Sequence, residues 1–149
     1  MLRRTLSLSA PAALLAGLAG CGDSPQDSAD DEIRQRLVGT WLRDYQEDQV
    51  QVRRVLVLAA DGAFRESALV RSLDGSAAPR RSTASGEWLF DGTNLKRHYR
   101  LVNERPLSAP QVPFATFELR FPSRRRFVGL DRVRGIEVTY DRVAEGTEP

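Results

Sequence analysis

From Thr40 to Val143 the chain is written as eight short runs of alternating apolar and polar residues, most of them joined by turns too short for a crossover. No other feature restricts the fold as much. A period of two sends successive side chains to opposite faces of a strand, and short connections make neighbouring strands pair antiparallel. The runs are Thr40–Gln46, Val50–Ala59, Ala63–Ser72, Ser82–Phe90, Asn94–Val102, Phe114–Phe121, Arg126–Arg132 and Ile136–Val143. Asp61-Gly62 and Asp91-Gly92 fall between runs, where a type I′ hairpin needs positive φ. Eight meandering strands favour closure, because a closed sheet has no exposed edges. The expected fold is all-β, an eight-stranded antiparallel up-and-down barrel with a short N-terminal helix.

The segment before the barrel divides in two. Glu32 to Val38 carries Ile33, Leu37 and Val38 at helical spacing, with Gly39 as a stop. The second strand is apolar on both faces from Val55 to Leu58, so one of those faces is left for this helix to cover. Residues 21–32 read as a flexible tether of Gly, Asp, Ser, Pro, Gln and Ala, too polar to offset chain entropy. Residues 145–149 read as a disordered tail. One domain, 33–144, remains between them, long enough to fold alone.

Arg3 and Arg4 precede a short, interrupted apolar stretch from Leu6 to Leu18, too short to span a bilayer. It ends in Leu18-Ala19-Gly20-Cys21, which resembles the bacterial lipobox. The resemblance implies that residues 1–20 are a lipoprotein signal peptide and that Cys21 is lipidated with three acyl chains. Several chains give stable anchoring where one does not. A lipid-anchored protein of the cell envelope is expected, facing the periplasm from the outer membrane because Gly22 follows the cysteine. Cys21 is the only cysteine, so no internal disulfide can form and an apolar core must hold the fold.

Without Arg3 and Arg4 the 22 basic side chains become 20, equal to the 20 acidic ones. An overall basic footprint for nucleic acid is therefore absent. No catalytic constellation stands out. The single histidine, His98, shares parity with Lys96 and Arg100 and is expected to face solvent. No metal-ligand cluster and no phosphate loop is present, so neither an enzyme activity nor a cofactor is expected. Arg124-Arg125-Arg126 and Arg80-Arg81 are turn residues that could meet lipid phosphates or simply be solvated.

Two charges interrupt apolar faces. Glu66 alternates with Phe64, Ala68 and Val70, and Arg97 alternates with Leu95, Tyr99 and Leu101. Unpaired burial of either is costly. They point either to a wet rim or to a mixed pocket with Phe64, Glu66, Trp88, Arg97, Tyr99 and Phe117 on its walls.

Gly39-Thr40-Trp41 resembles the Gly-x-Trp opening of lipocalin-like (calycin-type) domains. Gly86-Glu87-Trp88 repeats it, and Asp61-Gly62-Ala63-Phe64 is similar to a hairpin of small bacterial lipocalin-like proteins. The resemblance implies a structural plug in which an arginine of the last strand, here Arg142, stacks on Trp41. It also implies binding of a small apolar or amphipathic ligand in the barrel. The alternative is a filled barrel, serving as a structural or assembly factor that contacts an envelope protein through its outer surface.

Overall fold

The computed structural model describes residues 25–108 and 113–149; the segment expected to be a signal peptide, 1–20, and Cys21 lie outside them. Helix α1 (Pro25–Leu37) leads into β1 (Gly39–Glu47), β2 (Val50–Leu58), β3 (Ala63–Ser72), β4 (Arg80–Phe90) and β5 (Asn94–Val102). A two-residue β6 (Arg105–Pro106) precedes β7 (Phe114–Ser123), β8 (Arg126–Asp131) and β9 (Ile136–Val143). Eight strands close into an antiparallel up-and-down barrel, and β6 is only a short addition to the end of β5. The seal is short. β9 meets β1 through Thr40↔Val143, Trp41↔Arg142 and Leu42↔Asp141.

The eight long strands begin and end within two residues of the alternating runs, but the turns work differently from the expected type I′ hairpins. At Asp61-Gly62 and Asp91-Gly92 only the glycine has positive φ, 88° and 93°. Each aspartate side chain instead accepts a backbone N–H two residues on, from Ala63 at 2.9 Å and from Thr93 at 3.1 Å. These are Asx-type turns. The pair with both φ values positive is Asn103 (49°) and Glu104 (63°), which joins β5 to β6 without a glycine.

The helix starts at Pro25, inside the stretch expected to be a tether. Proline suits the first helical position because no N–H is needed there. Asp27 in the first turn and Arg34 and Arg36 in the last complement the helix dipole. Periodicity missed the first two turns because their side chains are almost all exposed; only Ile33 and Leu37 reach the core.

The helix does not cover the outside of β2. Leu37 is wholly buried and packs with Trp41, Leu56, Leu58, Phe64 and Phe127, so α1 stoppers one end of the barrel. On the outer face, Val55 is 2% exposed, and the groove beside it is shared with Gly146, Thr147 and Glu148. The expected disordered tail is placed there. Thr147 Oγ1 donates to the Ala144 carbonyl at 2.6 Å, and Arg53 Nε donates to the Glu148 carbonyl at 3.4 Å. The outward apolar residues of β2 supply the surface against which these last residues lie.

Candidate functional site

The two ends of the barrel are built differently. At the helix end, α1 leaves its last carbonyls without intrahelical donors, and side chains supply them. Trp41 Nε1 donates to the Leu37 carbonyl at 2.7 Å. Arg142 donates to the Val38 carbonyl at 3.0 Å and also to the Arg36 carbonyl. Its guanidinium lies 4.3 Å from the centre of the Trp41 ring. Gly39 sits at φ 138°, and a Cβ there would collide with the same guanidinium. The glycine, the tryptophan and the distant arginine therefore form one device that ties helix, first strand and last strand together. Trp41 also meets Phe127 edge-on at 4.7 Å. Burial, then the charges of Arg36 and Arg125, lower the Arg142 pKa from its ordinary value.

The other end is open. A cavity of about 510 Å³ descends between β1, β2, β5, β7 and β9. Its walls carry Arg43, Tyr45, Arg54, Tyr99, Phe117, Val138 and Tyr140, with Gln46, Glu47, Asp131, Arg134 and Ile136 towards the rim. Arg97 belongs to this cavity too.

A buried ionic triad lies at its base. Glu66 is 6% exposed and Arg97 4%. Arg97 Nη1 donates to Glu66 Oε2 at 2.5 Å, and Arg54 donates to Glu66 Oε1. The carboxylate comes from β3, and the two guanidiniums come from β2 and β5. Burial alone would raise the Glu66 pKa. The charges and hydrogen bonds of Arg97 and Arg54 outweigh it and hold the carboxyl below its usual value. Arg97 is enclosed by the rings of Tyr99, Phe117 and Phe64, with centroids at 5.4, 5.5 and 5.7 Å. Burial pushes the Tyr99 hydroxyl up to about 12 against the opposing pull of Arg97, so it is a neutral donor near neutral pH.

The six residues expected to wall a pocket therefore separate. Arg97, Tyr99 and Phe117 line the cavity, while Glu66 holds Arg97 and Arg54 at its base. Phe64 and Trp88 are absent from the lining and belong to the packed half. Trp88 Nε1 donates to the Ala59 carbonyl at 2.9 Å, and Phe64 meets Tyr99 edge-on at 5.1 Å. Sequence reasoning missed Arg43 and Arg54. The signal was present, because Arg54 has the parity of Val52 and Leu56 and Arg43 that of Trp41.

The remaining candidates stand apart from the cavity. His98 stacks on Phe114 at 4.5 Å and lies 3.5 Å from Glu87. Arg126 makes a two-pronged pair with Asp141 at 2.7 and 3.0 Å. Arg124 and Arg125 form the exposed β7–β8 turn. Among the described residues no group of His, Cys, Asp and Glu is arranged to hold a metal ion.

No protein-family model matches the chain. A search of curated proteins finds no match either.

Proposed function

We propose that this chain is a lipid-anchored envelope protein whose lipocalin-like barrel binds a small apolar or amphipathic molecule. The supporting observation is the cavity of about 510 Å³ at one end of a barrel whose other end is stoppered. That volume falls in the range of small-molecule sites, and its lining suits an amphipathic guest: half of the lining residues are aromatic or aliphatic and half are charged or polar. A barrel filled by its own side chains would have no such space. Native mass spectrometry of the protein extracted from its own envelope is expected to show a bound small molecule. A bare barrel that also binds no apolar probe would remove the reading.

The lipobox-like Leu18-Ala19-Gly20-Cys21 supports the anchor. Pro25 follows Cys21 by four residues, a span of at most about 14 Å. The lipid would then attach on the stoppered side, and the cup would open away from the membrane. Cys21→Ser is expected to move the protein from the membrane to the soluble fraction. Intact-mass measurement should show an acylated wild type and an unmodified variant. A wild type without acyl mass would rule out the anchor.

A further inference from the structure

The cup is unevenly charged. Four guanidiniums line it: Arg134 at the rim, where Asp131 answers it, and Arg43, Arg54 and Arg97 deeper in. Among the described residues Glu66 is the one carboxylate at its base, and both of its oxygens are already engaged. Three deeper cations against one anion leave two positive charges without a buried counter-charge. The rim carboxylates do not supply one. Glu47 is exposed, and Asp131 is taken by Arg134 at 3.8 Å and by the backbone N–H groups of Val133 and Arg134, each at 3.0 Å.

The three deeper arginines are not equivalent. The Arg97 side chain is 5% exposed and packed within aromatic rings, so it has little room for a further partner. Arg54 keeps 30% of its side chain exposed and gives one hydrogen bond, to Glu66. A guanidinium has five donors, and among the described residues the buried Nε of Arg54, like that of Arg97, is without a hydrogen-bond partner. Arg43 stacks on Tyr45 at 3.9 Å, and among the described residues no carboxylate forms an ion pair with it. Arginine's planar fork suits a carboxylate, phosphate or sulfonate.

We propose that the cup takes small anionic amphiphiles head-first, with the anion on Arg54 and Arg43 and the apolar body against Tyr99, Phe117 and Val138. This rests on the binding function proposed above and specifies its ligand class. The Glu66–Arg97 pair is the fixed base that holds Arg54 in place. An anion at Arg54 balances charge that the protein leaves open. A neutral head forgoes that balance, and an ammonium head meets like charge.

Three probes with one body and different heads separate the possibilities: 6-phenylhexanoate, 6-phenylhexanol and 6-phenylhexylamine. Calorimetric titration would use the full chain in phosphatidylcholine nanodiscs at neutral pH, with empty nanodiscs subtracted. The acid should bind about ten- to hundredfold more tightly than the alcohol, the range of one or two charge-assisted hydrogen bonds. The amine should not saturate. Arg54→Met and Arg43→Met should each remove most of the acid preference and leave alcohol binding nearly unchanged. Arg43→Met leaves the triad whole, so it still reports if Arg54→Met folds poorly. Equal affinity for acid and alcohol would overturn the proposal while leaving small-molecule binding in place. So would a preference for the amine, or an acid preference that survives both substitutions. No saturable binding of any probe would overturn both.

Discussion

Glu66→Gln should destabilise the barrel by about 3–5 kcal/mol, the cost of removing one partner from a buried ion pair. Among the described residues the carboxylate is the only anion bonded to Arg97, whose side chain is 5% exposed, and it also takes a bond from Arg54. The amide leaves two guanidiniums close together with no counter-charge. Three rings surround Arg97, and a desolvated cation–π contact gives about 2 kcal/mol or more. Those contacts are present with or without the Glu66 charge, so they do not replace the counter-charge that the substitution removes. Arg54→Met should be milder, because the Glu66–Arg97 pair survives it. Denaturant unfolding of the three proteins gives the order. Near-equal stability of wild type and Glu66→Gln would mean that the triad contributes nothing net.

The same group gives a pH dependence of known sign. The folded-state pKa of Glu66 is depressed below its ordinary value of 4.5. The unfolded chain therefore binds the proton more readily than the folded one. The stabilisation is complete above about pH 4.5 and is lost as pH falls through the folded value. Exposed carboxylates also titrate low; hydrogen bonds from Ser72 and Ser76 hold Asp74 near 2. The difference between wild type and Glu66→Gln isolates the buried group, and it should shrink as the medium is acidified.

Strand positions were legible because, apart from the outer face of β2 beside the C-terminal residues, each face of this sheet has one neighbour, core or water. Phe117 and Leu119 alternate with Thr116 and Glu118 for that reason alone. Parity put Glu66 and Arg97 on otherwise apolar faces and left a wet rim and a pocket both open, because it does not measure depth along the barrel axis. Phe64 and Arg97 are interior neighbours, yet Phe64 belongs to the packed core cluster and Arg97 borders the cavity. That division is set by α1, which fills one end and leaves the other open. The helix start and the C-terminal residues were illegible for a common reason. Both are polar segments held by a few contacts to surfaces formed by other parts of the chain, and no local period records such contacts. The turns show the same limit. Asp-Gly announced a reversal, but the side-chain acceptor that builds it is a matter of geometry and not of composition.

Trp41→Ala is expected to cost about 3–5 kcal/mol, as for a large aromatic side chain lost from a core. The indole is wholly buried, touches Phe127 edge-on, and gives its N–H to a helix-end carbonyl. Its removal leaves a cavity where helix and barrel join, and it frees the Leu37 carbonyl from its donor. Arg142→Ala should cost less than Trp41→Ala. It removes a cation stacked at 4.3 Å and two carbonyl contacts, but the residue is not deeply buried. The double mutant separates stacking from mere proximity. If the guanidinium rests on the indole, the two losses should couple by at least about 0.5 kcal/mol, the lower end for residues in contact. Additive losses would mean that Arg142 acts through the helix carbonyls alone. The seal between β1 and β9 has only three residue pairs, and Trp41↔Arg142 is the central one. Amides of β1 and β9 should then exchange faster in Trp41→Ala than those of β2 and β3, because closure of the barrel fails first at its shortest seam.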